Sequence, residues 1–370
     1  MKDKLVKQKN VLYYIAIFMI FIIGNNNTSS ILNLDPIFRQ MMYGIAVILL
    51  GIKILCDKHS LKEYILMGIL GLVFLYTSIK VDNIFFIVNY ILIISISDIK
   101  ISEIVKIDII VKMTFLLVNS TIYYIDVLTN QIPFEERQTL YFHNPNTTMG
   151  VIFWLIVDFI ILSKDNYRKV MKTSTIGLIL MFVAYWITGS RTAMYLYIIL
   201  YILIILAYIL RNKNIKVIKK ISKYAIDVLF ITSLIICLFY PKLNLQEVNA
   251  ALSGRLYKSY WAYNKFGFNI VAGETLDEIV DNVILDNFYT RSIVCYGIII
   301  YLILSIWIKK FSKKNDSKVL DMIVIVFCLF LFNESYPYLI SRCIIPLMIG
   351  QKALLGKKEG EAQSESKKFI

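Results

Sequence analysis

Apolar runs about as long as a lipid bilayer is thick recur along the whole chain, and they constrain its fold most. A transmembrane helix needs about 20 mostly apolar residues. The 370-residue chain is 58% hydrophobic and 18% charged, whereas a soluble domain is roughly 45–50% apolar and about 25% charged. The runs lie near residues 11–24, 40–56, 61–79, 83–97, 107–125, 149–163, 173–188, 193–210, 223–240, 289–308, 319–334 and 338–350. They predict an all-α, polytopic integral membrane protein with 11–12 transmembrane helices, and they exclude an ordinary cytosolic enzyme.

The basic residues predict how these helices are oriented. Cytoplasmic loops of membrane proteins carry an excess of Lys and Arg. With the N-terminus inside, 29 of the 40 Lys and Arg residues fall in inner segments and 10 in outer ones. We therefore predict a multi-pass protein of the cell membrane with both termini cytoplasmic. The net charge of +14 then reflects topology, and no nucleic-acid partner is indicated.

The chain is predicted to form one transmembrane domain over residues 1–350, followed by a polar cytoplasmic tail at 351–370. Three outer loops stand out by length: 25–39, 126–148 and 241–288. Long loops in compact domains are usually functional or disordered. Within the last loop, apolar and aromatic residues recur at helical spacing from Leu245 to Tyr263. This spacing predicts an amphipathic helix on the outer membrane face.

Ionisable residues inside membrane spans deserve a functional test, because they are costly there. The candidates are Asp108, Lys112, Asp158, Asp227 and Asp321. The predicted topology puts them toward the cytoplasmic ends, where we expect them to snorkel or to pair with lysines of the inner loops. Asp108 and Lys112 are four residues apart and can pair on one helix face. A proton-coupled transporter would place such acids nearer the midplane.

The cysteines indicate neither a disulfide framework nor a metal site. All five lie within or at the ends of apolar runs, with no C-x-x-C spacing: Cys56, Cys237, Cys295, Cys328 and Cys343. They are predicted to be small core residues. The outer loops contain neither a D-x-D pair nor a His/Cys cluster, so we predict no metal and no other cofactor.

The segment T-G-S-R-T-A, residues 188–193, forms a very short outer loop between two apolar runs. It would hold Arg191 at the bilayer surface. A guanidinium group binds phosphate bidentately and stays charged at any relevant pH, and Ser190 adds a hydrogen-bond donor. An interfacial anchor is the structural alternative for Arg191, since Arg is common at span ends.

The segment from His143 to Gly150 ends the second long outer loop and enters an apolar run. His143 is the one histidine on the predicted outer side, and a neutral imidazole is a candidate general base for a sugar hydroxyl. The residues Asn144, Pro145 and Asn146 are typical of a helix start. A helix start does not exclude a catalytic histidine beside it.

The largest outer loop carries further polar candidates. Arg255, in an S-G-R sequence, is a second candidate ligand for phosphate or sugar, and Lys258 lies one turn away on the same face. Asp286 and Tyr289 follow in a D-N-F-Y sequence before the next apolar run. A face that binds water or lipid headgroups, and an aromatic belt, are the alternatives here.

Taken together, these motifs resemble those of Wzy-type polymerases, which assemble capsular polysaccharide, exopolysaccharide and O-antigen and are related to O-antigen ligases. The resemblance rests on H-N-P-N-x-x-x-G at 143–150, G-S-R-T-A at 189–193, and S-G-R and D-N-x-Y in the late loop. It implies a fold like that of class C glycosyltransferases (GT-C). It also implies transfer of a glycan chain from undecaprenyl pyrophosphate to a lipid-linked repeat unit, without a metal, at the outer face of a bacterial cell membrane.

The resemblance further implies roles for single residues and for partners. Arg191 and Arg255 would hold the pyrophosphate or the glycan, and His143 would shape the cavity or act as the base. Substrate contacts would come from Ser190, Asn146, Lys258, Asp286, Tyr289 and Arg137. Some members carry an Arg-x10-Gly pattern, from which the spacing around Arg137 departs. The implied partners are the undecaprenyl-pyrophosphate-linked oligosaccharide, membrane lipids, a flippase and a chain-length regulator.

Two other functions stay open from the sequence. A flippase for the same lipid-linked oligosaccharide would show internal repeats, short outer loops and charges deep in the spans. A polysaccharide ligase of the same superfamily would attach the finished polymer to another acceptor. The sequence does not separate a ligase from a polymerase.

Overall fold

The computed structural model describes residues 2–31, 34–57, 59–133, 135–211, 216–273, 285–334, 340 and 342–355. Side chains are described from residue 9 to residue 354 within these ranges. The acidic part of the late loop, 274–284, and most of the predicted tail, 356–370, lie outside the described residues. The remainder of the predicted tail belongs to a helix that runs to Leu355.

The described part of the chain is helical apart from turns, short links and one isolated β-bridge between Ser29 and Phe142. A short 3-10 turn covers Tyr240–Lys242. The α-helices are α1 (Lys2–Asn26), α2 (Pro36–Cys56), α3 (Leu61–Lys80), α4 (Phe85–Ile94), α5 (Ile101–Leu128), α6 (Pro145–Leu162), α7 (Tyr167–Thr188), α8 (Arg191–Ile209), α9 (Lys216–Phe239), α10 (Gln246–Ala251), α11 (Arg255–Phe266), α12 (Phe288–Val294), α13 (Ile298–Lys314), α14 (Lys318–Asn333) and α15 (Ile345–Leu355).

Seven helices of the described chain are long and apolar enough to cross a membrane: α1, α2, α3, α6, α7, α8 and α9. This confirms the prediction of an all-α chain with several membrane-length helices, whereas the count of 11–12 spans stays a prediction. The 10 residues of α4 and the 11 residues of α15 rise only about 15 Å, at 1.5 Å per residue. Such short helices reach roughly half of the hydrocarbon core.

The tenth apolar run, 289–308, is not one helix as its composition suggested. Cys295, Tyr296 and Gly297 separate α12 from α13, and Gly297 has a φ of +85°. The backbone groups that the break frees are bonded by the chain after α11: Gly273 N–H donates to Cys295 O at 2.8 Å, and Ile298 N–H donates to Asn269 O at 3.0 Å. Irregular backbone is tolerated at membrane depth where protein satisfies it in this way.

The predicted amphipathic helix over Leu245–Tyr263 is also divided. Ser253 and Gly254 adopt positive φ angles of 55° and 79°, which end α10 and redirect the chain into α11. The buried face of α11 packs against α9 and α12. The apolar face of α11 is therefore covered by protein, and the position of this segment on the outer membrane face stays a prediction.

The charged residues of the apolar runs are paired inside the bundle. Lys112 Nζ lies 2.7 Å from Asp108 Oδ2, which confirms the predicted pair, and 2.7 Å from Asp158 Oδ2 on the neighbouring helix. Asp227 pairs with Lys309 at 2.8 Å, as expected for an inner-loop lysine. Asp321 accepts a hydrogen bond from Asn315 Nδ2 at 3.1 Å. Asp158 was expected to snorkel or to pair with an inner-loop lysine. That expectation is wrong, because Asp158 is buried and its ion-pair partner is Lys112 of α5.

The cysteines provide a test of the predicted orientation. All five lie in the described residues, and only Cys56, at the end of α2, is exposed, contrary to the expected burial. In the predicted topology Cys56 faces the cytoplasm. A membrane-impermeant maleimide should therefore leave the wild-type chain unlabelled in intact cells and label it after permeabilisation. In a Lys242→Cys variant, which places a thiol at an exposed position of the late loop, labelling should occur in intact cells. Labelling of Cys56 in intact cells would overturn the orientation.

Close packing at Gly177 gives a second prediction. A Cβ at this position of α7 would overlap the Tyr197 hydroxyl and the Ile156 side chain. Tyr197 is buried and donates to the Ser174 carbonyl at 2.9 Å, so it cannot move away freely. Gly177→Ala should lower the thermal midpoint in detergent, at a cost of about 1–3 kcal/mol for an overpacked core.

The matched control is Gly68→Ala in α3, where a Cβ meets open space. That variant should keep the wild-type midpoint or raise it, because Ala favours a helix over Gly by up to about 1 kcal/mol. Equal midpoints for the two variants would show that α6, α7 and α8 do not meet closely at Gly177.

Candidate functional site

One end of the bundle, which the basic residues predict to face outward and which we call the outer end, carries the candidate residues. There α6 begins with a side-chain cap: the Asn144 side chain accepts a hydrogen bond from the Thr147 N–H at 2.8 Å. Pro145 occupies the first helical turn, where a missing N–H costs nothing. The predicted helix start is confirmed, and it fixes His143 and Asn146 on this end of α6.

His143 is held against the end of α1. Its backbone N–H donates to Thr28 O at 3.0 Å, and its Nε2 lies 2.7 Å from Asn27 O. A carbonyl oxygen only accepts hydrogen bonds, so Nε2 must carry a hydrogen. In the neutral ring Nδ1 is then the unprotonated nitrogen. The exposed His143 thus presents Nδ1 as its basic atom.

His143 also lines a polar cavity of about 460 Å³ at the outer end. Arg39 Nη1 donates to Asn27 Oδ1 at 2.7 Å along this wall. The other lining residues are Asn26, Ser29 and Ser30. Pockets of roughly 300–1,000 Å³ bind small ligands, and these donors suit phosphate or sugar hydroxyls. Sequence reasoning missed this set, although the polar sequence N-N-N-T-S-S at 25–30 directly after an apolar run was a signal.

Asn146 faces the turn between α7 and α8. Ser190 Oγ donates to Asn146 Oδ1 at 2.8 Å, across 44 residues of sequence. Both residues were candidates from the sequence, but nothing in their spacing predicted this bond. It joins the segment that carries His143 to the segment that carries Arg191.

Arg137 lies across the same turn. Gly189 has a φ of +62°, and a Cβ there would lie 3.0 Å from Arg137 Nε. Arg137 Nε in turn donates to the Thr188 carbonyl at 3.2 Å. Glycine is needed for the left-handed conformation and for the space that Arg137 occupies. Arg137 therefore supports the turn that presents Ser190 and Arg191, and direct substrate binding by it stays a prediction.

Arg191 is the first residue of α8, and its side chain is exposed. It forms no hydrogen bond or ion pair with any residue that the structure describes. Ser190, at the cap position, makes no side-chain hydrogen bond to the first turn of α8. Because helix N-termini favour anions, an unpaired guanidinium at this position is suited to bind a phosphate group.

Arg255, unlike Arg191, is held by two ion pairs and a hydrogen bond to a backbone carbonyl. Its Nη2 lies 3.1 Å from Glu334 Oε1 and 3.2 Å from Asp286 Oδ2, and its Nη1 donates to Asn333 O at 2.6 Å. Two carboxylates thus already face this guanidinium, and they tie α11 to the end of α14. Binding of pyrophosphate by Arg255 stays a prediction, and it would require the phosphate to displace one of these carboxylates.

Glu334 was missed by sequence reasoning, because it ends an apolar run with no motif around it. It follows the last residue of α14 and is almost fully buried. Burial raises its pKa to about 7; Arg255 opposes this effect and the like charge of Asp286 adds to it. Arg342, which lies within electrostatic range, also lowers the pKa of Glu334.

Arg342 is a second residue that sequence reasoning placed outside without giving it a role. It lies within electrostatic range of Glu334 and of Tyr43, and Tyr43 is within range of Arg39. Arg39 and Arg342 therefore both lie within electrostatic range of Tyr43. Only the folded chain brings these arginines together, since Arg39 and Arg342 lie near opposite ends of the sequence.

The two remaining candidates, Lys258 and Tyr289, differ in how far their side chains are buried. Lys258 is half-buried on α11 and has no partner among the described residues. Tyr289 is fully buried, and its hydroxyl donates to the Cys328 carbonyl at 2.9 Å. Tyr289 thus packs α12 against α14, and its contact with sugar stays a prediction that this burial does not support.

The described residues contain no group of three or more His, Cys, Asp or Glu side chains that could hold a metal ion. A scan against protein-family models, a search of curated proteins and a search of solved structures found no match to this chain. Function must therefore be argued from the chain's own residues and their contacts.

The pKa of Glu334 predicts a pH-dependent stability. The folded state, with a pKa of about 7, holds the proton more tightly than the unfolded chain, whose value is near 4.5. A folded state that binds more protons loses stability as pH rises, so the thermal midpoint should fall between pH of about 4.5 and 7. Glu334→Gln should flatten this part of the profile.

The control for this experiment is Glu247→Gln, which changes an exposed glutamate of α10. Thermal unfolding of purified protein in detergent, repeated over a pH series, measures all three profiles. A Glu334→Gln profile as steep as the wild-type profile would contradict the assignment.

Proposed function

We propose that this chain is a polysaccharide polymerase, a membrane glycosyltransferase. It transfers a glycan chain from undecaprenyl pyrophosphate to a lipid-linked oligosaccharide repeat unit at the outer face of a bacterial cell membrane. The observation that carries the proposal is the 2.8 Å hydrogen bond between Ser190 and Asn146. It joins two of the sequence elements that carry the resemblance to Wzy-type polymerases, G-S-R-T-A and H-N-P-N-x-x-x-G, at one end of the bundle.

The proposal includes the topology. The end of α1, the start of α6 and the α7–α8 turn share one end of the bundle, and most basic residues belong to segments of the other end. This distribution supports an outward-facing site with both termini in the cytoplasm. The proposed chain has 11–12 spans, including helices shorter than a full bilayer, and a GT-C-like fold.

Arg191 is proposed to bind the leaving pyrophosphate. A hydroxyl oxygen of the acceptor sugar bonds to the anomeric carbon of the donor while the bond from that carbon to the phosphate oxygen breaks. The pyrophosphate leaves with the electron pair, so negative charge develops beside Arg191. A fixed guanidinium at a partly dehydrated surface stabilises this charge better than water does, and its fork can hold two phosphate oxygens.

His143 is proposed to take the proton of the attacking hydroxyl on Nδ1. The Asn27 carbonyl, 2.7 Å from Nε2, fixes both the ring and the tautomer that leaves Nδ1 free. A base oriented by a further group is the arrangement that nucleophile activation requires. The polar cavity beside the ring gives the acceptor sugar a place to bind. Arg39 adds positive charge to its wall.

A lipid-linked oligosaccharide transporter is a second candidate, and one observation favours it. Asp108, Lys112 and Asp158 form a fully buried cluster within α5 and α6. Charges within the spans were one feature expected of a transporter, and this cluster provides them toward the cytoplasmic ends of α5 and α6. The polymerase remains the better-supported proposal, because the resemblance and the unpaired Arg191 both lie at the outer end.

Arginine-to-lysine substitution at the two ends of α8 tests the proposal with matched charge. Arg191→Lys keeps the charge but loses the bidentate fork, and loss of a charge-stabilising donor costs about 10²-fold in rate. Polymer made by the host should therefore fall sharply at an unchanged protein level. Arg211, which follows α8 at the opposite end and stacks on Tyr208 at 4.7 Å, gives the control.

Arg211→Lys should leave polymer length and amount unchanged. Polymer extracted from cells that carry each variant as their only copy, run on a gel, measures both. Wild-type polymer in the Arg191→Lys strain would remove Arg191 from the pyrophosphate site.

A further inference from the structure

The buried cluster of Asp108, Lys112 and Asp158 plays no part in the site described above. Lys112 Nζ lies 2.7 Å from one carboxyl oxygen of each aspartate, and the three side chains are at most 1% exposed. Two carboxyl groups thus face one ammonium group. The cluster joins α5 to α6 inside the bundle, where protein covers all three side chains.

Fully ionised, the cluster would carry one uncompensated negative charge. The helices packed against α5 and α6 carry their charged residues within about two turns of their ends, and among the described residues none pairs with the cluster. The chain that enters α15 adds the buried Cys343 thiol, which lies within electrostatic range of all three side chains. A buried group in this position takes up a proton rather than remaining charged and unpaired.

The positions of the two acids indicate where that proton sits. Both carboxyl groups lie against the same ammonium group, each with its Oδ2 at 2.7 Å from Lys112 Nζ. Asp108 Oδ1 is buried and lacks a donor among the described groups. Two carboxylates have only acceptor atoms, so a bond between them requires a hydrogen on one of them.

We propose that Asp108, Lys112 and Asp158 form a proton-binding site inside the membrane, in which one proton is shared between the two aspartates. Lys112 stays charged, one carboxyl group is ionised at any moment, and the cluster as a whole is neutral. The ligand is a proton and not a metal cation, because the Lys112 ammonium group already fills the space between the carboxyl groups. The assignment holds whether the chain polymerises or transports its substrate.

Infrared spectroscopy of the purified full-length protein in D2O tests the site. A protonated carboxyl group has a C=O stretch that is separate from the bands of carboxylates and amides. The wild-type protein should show this band. The wild-type-minus-variant difference spectra of Asp108→Asn and Asp158→Asn should each contain it, because removal of either acid leaves one carboxylate paired with Lys112 and no proton to hold.

Asp227→Asn is the matched control. Asp227 already has its own lysine, Lys309 at 2.8 Å, so this variant should keep the band. Difference spectra cancel the contribution of any other buried acid. A wild-type-minus-variant difference spectrum that lacks this band, for either Asp108→Asn or Asp158→Asn, would overturn the shared proton.

A second measurement uses only wild-type protein, so it tests the proposal even if a variant fails to fold. Wild-type protein labelled with 13C-aspartate should show the protonated carboxyl band at the shifted position of the labelled acid. A labelled wild-type protein without a protonated aspartate band would overturn the proposal without any substitution.

Discussion

Polar groups that enter the membrane interior must find their partners within the protein, and the rest of this structure depends on that constraint. Asp57, at the end of α2, is buried and pairs with the fully buried Lys53 of α2 and with Lys9 of α1, each at 2.7 Å. Lys112 Nζ pairs with the Oδ2 atoms of two aspartates, each at 2.7 Å. The break between α12 and α13 is bonded by Asn269 and Gly273. Each of these arrangements ties together helices that apolar contact alone would hold without a fixed register.

The same constraint separates residues that hold the fold from residues that are available for chemistry. Arg255 was an equal candidate to Arg191 from the sequence, yet Glu334 and Asp286 already neutralise it. Arg191, at the exposed start of α8, has no such partner among the described residues. A cation that binds an incoming phosphate without first losing a carboxylate is the better ligand, and for this reason Arg191 is central to the proposed reaction.

Much of the fold could be predicted from local patterns, and much of the site could not. Apolar runs predicted the long helices, and Asn144 and Pro145 predicted the start of α6. The four-residue spacing of Asp108 and Lys112 predicted that they pair. Contacts between distant segments left no such pattern: Asp158 lies 46 residues from Lys112, and Ser190 lies 44 from Asn146. Arg39, Arg342 and Glu334 gain their significance only from the neighbours that folding brings to them.

We propose that the outer end of this bundle lengthens a lipid-linked glycan. Purified wild-type protein in liposomes, supplied with an undecaprenyl-pyrophosphate-linked repeat unit and no other protein, tests it most directly. We expect products that form a ladder on a gel, spaced by one repeat unit. Repeat units that cross the bilayer without becoming longer would contradict it and would identify a transporter.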